Sequence, residues 1–351
     1  MVTTAAITGR GWAAPPPVRQ QELWDGFFED HFDGHRLARA AWNRSGVQTR
    51  HGAVDPRVED VSTWGTEQRM QRFVTEAMPL GAAAITDALK DAGLSAGDVG
   101  QFAVATCTGY ATPGLDILLA RDLGMPVSTQ RLHIGHMGCY AAIPGLSMMA
   151  AQTAVRGEPS MLLCLELTSL HVQPRDDSGG RPDLEQVVAH ALFSDAAAAV
   201  VVAPDAPGVE VIDVVARTDV EHSELMTWDV TDVGFRMGLS PKVPNVLAEH
   251  VAGAVDELLG RHGLTIPDVA RWAIHPGGPR IVDVVADRLG LDDDAVGMSR
   301  QVLADHGNCS SPTVLLILDR IMEAGLDAGD PVVLMAFGPG LTLYAALLRA
   351  R

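Results

Sequence analysis

The sequence predicts an α/β protein in which one layered unit is built twice. Three observations carry that prediction. First, 84–89 runs into Gly93-Leu94-Ser95, Asp98-Val99 and Phe102-Ala103-Val104, and 255–259 runs into Gly263-Leu264-Thr265, Asp268-Val269 and Trp272-Ala273-Ile274, at a constant offset of 170 residues. The same offset sets Gly135-His136-Met137-Gly138-Cys139 against Asp305-His306-Gly307-Asn308-Cys309. Second, helical and strand patterns alternate within each copy, which is the mark of α/β layers. Third, 351 residues with 47% hydrophobic and 20% charged residues supply a large core and exclude global disorder.

Taken in order, residues 20–75 match neither copy well and read as an inserted helical region with turns at Pro56 and Gly65. An alanine-rich helix follows over 80–92, stopped by Gly93. Strands are predicted at 102–106, 161–167 and 197–203, and helices at 115–124 and 140–156. Pro204, Asp205 and Pro207 break the pattern, so the chain divides into an N-terminal half, 1–208, and a C-terminal half, 209–351. The second half has helices at 246–261, 280–289 and 312–324 around strands at 271–274 and 332–336. The strands at 197–203 and 332–336 are apolar without alternation, as expected where both sheet faces are covered.

A net charge of −18 argues against a general nucleic-acid binder. No apolar run reaches the ~18 residues of a membrane helix, and Met1-Val2-Thr3-Thr4 does not open a secretory signal. Four cysteines without a CxxC pair point to a reduced, cytoplasmic location.

Cys139 lies between Gly138 and the apolar run 143–150, which sets its sulfur near a helix N-terminus, where thiolate is favoured. A buried structural cysteine is the alternative. His275 ends the strand at 271–274 and precedes Pro276-Gly277-Gly278-Pro279, at the carboxyl end of a strand where α/β sites collect. Asn308 matches Gly138 across the duplication, so the pseudo-twofold would face Asn308 and His275 of one half toward Cys139 of the other; a helix N-cap is the plain alternative. His133, His136 and Cys139 also have a tolerable metal-ligand spacing, but no fourth ligand is evident and no metal is expected. Arg36, Arg39, Arg44 and Arg50 form a stretch without acidic residues, either a solvated helix face or an anchor for a phosphate-bearing ligand.

Five stretches resemble the type III polyketide synthases, the chalcone synthase-like group of the thiolase superfamily. They are Gly138-Cys139, Ala191-Leu192-Phe193-Ser194-Asp195-Ala196-Ala197-Ala198, Ile274-His275-Pro276-Gly277-Gly278-Pro279, Gly307-Asn308-Cys309-Ser310-Ser311 and Phe337-Gly338-Pro339-Gly340-Leu341-Thr342. They occur in family order, and the resemblance runs from about residue 80 to the end. It implies a thiolase-like five-layered αβαβα fold, a homodimer, and a Cys139-His275-Asn308 triad that loads an acyl-CoA starter on the sulfur, decarboxylates malonyl-CoA and condenses iteratively. No cofactor beyond the CoA thioesters is implied. Phe193 is similar to the gatekeeper between the CoA tunnel and the cavity, and Met237 takes the place of a second one. Cys107, His171, Trp228, Ser310, Gly338 and Pro339 would line the cavity, while Arg36, Arg39, Arg44, Gly277 and Gly278 would meet CoA.

Trp228 and His171 stand where relatives carry smaller residues, so the cavity should be reduced or redirected. Few extensions or an unusual starter are expected, giving a pyrone or resorcinol-type product, with a naphthalene type as the third possibility. The rival readings are a ketoacyl-ACP synthase III-like condensing enzyme, which normally shows a His-Gln-Ala-Asn-like motif where this chain has His275-Pro276-Gly277-Gly278, and a non-catalytic thiolase-fold scaffold. The starter, the number of extensions, and delivery by CoA or a carrier protein are left open.

Overall fold

The computed structural model describes residues 4–175 and 182–351. Strand β1 (Ala5–Ala13) opens the fold, followed by β2 (Pro17–Arg19), the short helices α1 (Gln20–Leu23) and α2 (Glu29–His31), α3 (Arg36–Asn43) and β3 (Thr49–His51). The long helix α4 (Thr66–Asp91) leads into β4 (Gln101–Thr106), α5 (Leu115–Leu123), β5 (Gln130–Gly135), α6 (Ala142–Arg156), β6 (Ser160–Glu166), α7 (Leu184–Leu192) and β7 (Ala196–Pro204). The second half holds β8 (Val209–Thr218), β9 (Met226–Thr231), β10 (Gly234–Leu239), α8 (Val243–Gly260), β11 (Arg271–Ile274), α9 (Pro279–Leu289), α10 (Asp293–His306), α11 (Pro312–Glu323), β12 (Pro331–Gly338) and β13 (Thr342–Ala350).

The main sheet runs β11-β12-β13-β8-β1-β7-β6-β4-β5. Its two halves meet where β1 pairs with β8 through only Ala6–Glu210 and Ile7–Val209. Three apolar cores separate the layers. The central one joins α6 and α11 to strands of both halves, through residues such as Ile143, Leu146, Leu162, Val314, Ile317 and Leu334. A second buries α4 and α5 on the N-terminal sheet face, and a third buries α8 and α9 on the C-terminal face. Helix, sheet, paired helices, sheet and helix are the five layers expected. Among the described residues no helix is long and apolar enough to cross a membrane.

The duplication is visible in local chemistry. Asp98 accepts from the backbone and hydroxyl of Ser95, and Asp268 does the same for Thr265. Two details differ from the sequence reading. Helix α4 starts at Thr66, not near 80, and carries Pro79 inside it; its N-terminal half therefore takes the end of the region read as inserted. The match of His136 to His306 joins unlike elements, since His136 follows strand β5 whereas His306 ends helix α10. Three residues later the copies agree again, because Cys139 and Cys309 both lead into a central helix, α6 or α11. Strands β1–β3, β5, β8–β10 and β13 and helices α7 and α10 lay outside the sequence reading.

Candidate active site

Cys139 sits in a single 3-10 turn, Gly138–Tyr140, that feeds α6. The turn is forced by its neighbours. Gly138 has φ +71°, and a Cβ there would lie 2.8 Å from Cδ of Pro339. A Cβ on Gly338 would lie 2.7 Å from the Tyr140 ring. Both glycines let the β12–β13 turn close on the cysteine.

His275 is wholly buried at the end of β11, its N–H donating to Met335 O over 2.7 Å. Among the described residues neither ring nitrogen has a partner. Asn308 is bracketed by the chain after α7. Its N–H donates to Leu192 O over 2.9 Å, and its carbonyl accepts from Ser194 N–H over 2.9 Å. Its Oδ1 accepts the N–H of Ser310 over 2.8 Å, which leaves the Nδ2 end for the Cys139 sulfur and a long 3.5 Å contact to Gly277 O. Ser310 reaches this position with φ +57°, an uncommon conformation for a serine and one typical of functional sites.

All three residues line one cleft of about 460 Å³, which the sequence assigned to opposite halves of the chain. Its walls are Leu37, Val188, Leu239, Val243 and Leu247, and Arg44, Gly277 and Gly278 also line it. A second void of about 120 Å³ lies beyond Cys139. The two share Cys139, Phe193, Met226 and Met237, so Phe193 and Met237 stand at the neck between them. Cys107, Trp228, Ser310 and Pro339 line the inner void, joined by Thr108, His136, Thr168 and Met226.

Several expectations are corrected. His171 does not line the chamber at Cys139. It stands behind Trp228, with Nδ1 accepting from Phe235 N–H over 3.0 Å and Nε2 donating to Thr108 O over 2.7 Å, and it borders a separate void of about 70 Å³. Gly338 makes room for Tyr140 rather than lining the chamber. Arg39 is turned from the cleft, its guanidinium 5.0 Å above the Trp24 ring and 3.6 Å from Asp25. Arg36 is exposed at the start of α3 and lines no part of the cleft. Arg280, which the sequence reading passed over, does line it from the start of α9; its place just after the Gly277-Gly278-Pro279 turn was the available signal. Among the described residues no group of three His, Cys, Asp or Glu side chains is placed to hold a metal ion.

The helix N-terminus does not by itself make Cys139 a thiolate. Burial pushes its thiol up to about 12, while hydrogen bonds from Ser310 and Asn308 pull the other way. Burial likewise pushes the His275 imidazole down to about 3. Each group alone is held neutral.

A buried carboxylate that the sequence reading missed completes the surroundings. Glu166 accepts from Cys107 N–H (3.0 Å), Thr108 Oγ1 (2.7 Å) and Ser311 Oγ (2.9 Å). Its charge adds to burial in raising the thiols of Cys107 and Cys139. At the end of a strand whose residues from Met161 to Leu165 are all apolar, Glu166 was the one signal in the sequence for such a group.

A duplicated five-layer α/β fold, with cysteine, imidazole and amide at the end of an apolar cleft, defines an acyl-condensing enzyme. The chain belongs to the chalcone and stilbene synthases: the N-terminal domain of that family matches residues 5–206 and the C-terminal domain 215–351. It is a type III polyketide synthase, an acyltransferase of the decarboxylating Claisen kind. It is 35% identical to a 1,3,6,8-tetrahydroxynaphthalene synthase of Streptomyces peucetius subsp. caesius, over 89% of this chain and 83% of that one. It is 31% identical to the alpha-pyrone synthesis polyketide synthase-like Pks18 of Mycobacterium tuberculosis, over 98% and 91%. The crystal structure of 1,3,6,8-tetrahydroxynaphthalene synthase from Streptomyces coelicolor A3(2), a bacterial type III polyketide synthase, superposes with a TM-score of 0.91 at 27% identity, over 99% of both chains.

Proposed function

We propose that this synthase loads an acyl-CoA starter on Cys139, extends it with malonyl-CoA a small number of times, and releases a short polyketide of the pyrone or resorcinol type. The observation that carries the reading is the shared lining of one cleft by Cys139, His275 and Asn308, with the small chamber closed by Trp228 beyond it.

In loading, the Cys139 sulfur attacks the thioester carbon while its proton passes to His275; the S–C bond to CoA breaks, and the CoA sulfur leaves with a proton. In extension, the bond from the malonyl methylene to its carboxylate breaks, carbon dioxide departs, and the electron pair forms an enolate. The free His275 ring N–H and the Asn308 Nδ2 are the donors for that oxygen. A donor aimed at developing charge contributes about 3–4 kcal/mol. An aspartate at 308 would repel both the malonyl carboxylate and the enolate. The enolate carbon then attacks the acyl carbon on Cys139, the bond from that carbon to Sγ breaks, and the lengthened chain is left on CoA with the Cys139 thiolate released, a local transfer because the acceptor is covalently held.

Arg44 and Arg280 at the cleft are the cations for CoA phosphates. The enzyme works in the cytoplasm as a homodimer and needs no further cofactor. Supporting the dimer, β5 is an end strand of the main sheet, and Met148 and Val155 are exposed on the adjacent α6. Supporting the location, all four cysteines are free thiols.

The test is mass spectrometry of products from the purified protein with malonyl-CoA and a panel of acyl-CoA starters, run beside Cys139→Ala. Polyketide masses that require Cys139 support the reading. Untouched CoA thioesters in the wild type would reject CoA delivery and move the starter to a carrier protein.

A further inference from the structure

Arg50, read from the sequence with the surface arginines of α3, is only 6% exposed. Among the described residues it forms no ion pair. The carboxylate whose charge reaches it, Asp195, is already engaged by Ala53 N–H, Thr168 Oγ1 and the N–H and hydroxyl of Ser169. The Arg50 guanidinium instead lies 4.7 Å from the Trp42 ring and 5.6 Å from the Phe28 ring. Its Nη1 donates to the carbonyls of His190 and Phe193, the latter over 3.1 Å. A buried cation without a counter-ion is costly, and this one sits at the negative end of the α7 dipole.

The residues it grips matter more than the helix end itself. Phe193 stands at the neck between cleft and chamber. Leu192 and Ser194 on either side hold the backbone of Asn308, and Phe193 and Asn308 form a parallel bridge. A Cβ on Gly307, the residue before Asn308, would meet Ser194 Cβ at 2.9 Å and Arg50 Cβ at 3.4 Å. The next residue along β3 adds to the hold, because His51 exchanges hydrogen bonds with Ser194 through N–H to Oγ (2.8 Å) and Oγ to carbonyl (3.2 Å).

We propose that Arg50 is a positioning residue of the condensation, which by holding the carbonyls of His190 and Phe193 sets the direction of the Phe193 ring at the neck and the place of the Asn308 amide in the cleft. This rests on the reading of Asn308 as the enolate's donor. A stabilising group of the fold alone would change melting temperature; a positioning residue changes turnover in protein that is fully folded.

The experiment uses purified full-length Arg50→Met, which keeps the apolar stem between the rings, and Arg50→Lys, which keeps the charge with a single point donor. Malonyl-CoA decarboxylation and product masses are read at a temperature where circular dichroism shows each variant folded. Arg50→Met is expected to lose roughly 10- to 100-fold in kcat, since a misplacement of about 1 Å is worth that much. KM for malonyl-CoA is expected to stay within roughly twofold, because the lost interaction belongs to the transition state. Arg50→Lys should recover part of kcat. Folded Arg50→Met with wild-type kcat and products overturns the proposal. If Arg50→Met does not fold, the Arg50→Lys and Phe193→Leu changes are combined: non-additive effects on product masses support the proposal, and additive effects overturn it. Asn308→Ala separates this idea from the reading beneath it. Unchanged decarboxylation in Asn308→Ala rejects the triad, whereas its loss together with an indifferent Arg50→Met rejects the role of Arg50 alone.

Discussion

The indole Nε1 of Trp228 donates to the carbonyl oxygen of Cys107 over 2.8 Å, tying strand β9 of the second half to the end of β4 in the first. The indole is braced edge-on by His171 and Phe235, whose rings stack on each other at 4.6 Å. The wall of the chamber is thus a rigid aromatic set, with both nitrogens of His171 already committed.

Trp228→Gly should open the 120 Å³ chamber toward the 70 Å³ void, since Trp228 borders both. Products should lengthen or change, at a stability cost of roughly 2–4 kcal/mol for the lost aromatic packing. Product masses and a denaturant titration check the two parts, and an unchanged product spectrum rejects the wall.

Removing the imidazole should silence the sulfur. Burial pushes the Cys139 thiol up to about 12, so with no imidazole to take its proton His275→Gln leaves it protonated at neutral pH. Alkylation of Cys139 by iodoacetamide at pH 7 is expected to slow at least roughly tenfold. Peptide mapping of the labelled cysteine reads this directly, and an unaltered rate contradicts the pairing.

Arg44→Ala and Arg280→Ala should each raise KM for CoA substrates roughly three- to tenfold with little change in kcat, the signature of uniform binding. Arg39→Ala should do neither, because its guanidinium is engaged by Trp24 and Asp25. Steady-state kinetics on the three variants decides it.

Acid should loosen the fold through a histidine relay. Arg320 donates to His306 Nε2, His306 Nδ1 meets His51 Nε2 at 3.1 Å, and His51 Nδ1 donates to Pro15 O. This chain is satisfied only when both rings are neutral. Burial, with His51 and Arg320 adding to it, pushes His306 down to about 4, and burial also lowers His51. The unfolded chain therefore binds more protons in that window, and stability present above pH ~6.5 is lost as pH falls toward 4. His306→Gln, whose amide supplies one donor and one acceptor, should flatten that loss in melts at pH 7.5, 6 and 5.

Much of the site was legible because its residues sit where strands end and helices begin. His275 closes β11, Cys139 opens α6, and Asn308 opens α11, positions that periodicity and glycine turns mark in one dimension. The cleft wall was less so. His171 and Trp228 each stand where relatives carry a smaller cavity residue, yet a hydrogen bond to Thr108 O puts His171 behind the tryptophan. Arg36, Arg39, Arg44 and Arg50 look alike in sequence, but only burial and aromatic neighbours sort them into exposed, stacked, cleft-lining and fully enclosed. Helix α4 was cut short in the sequence reading because only its alanine-rich part, 80–92, was read as this helix, whereas the structure starts it at Thr66 and carries Pro79 within it.

Cys309 occupies the point in the second copy that Cys139 occupies in the first, but its sulfur lies in the central core with His306 O at 3.5 Å. The twin copies thus contribute unequally to the cleft: one brings Cys139, the other His275 and Asn308, and the second thiol is packed in the core. Neither half retains a whole reaction centre. Severing the loop between Pro204 and Val209 would therefore yield two inert pieces, and any recovered turnover on mixing would count re-paired halves rather than refolded ones.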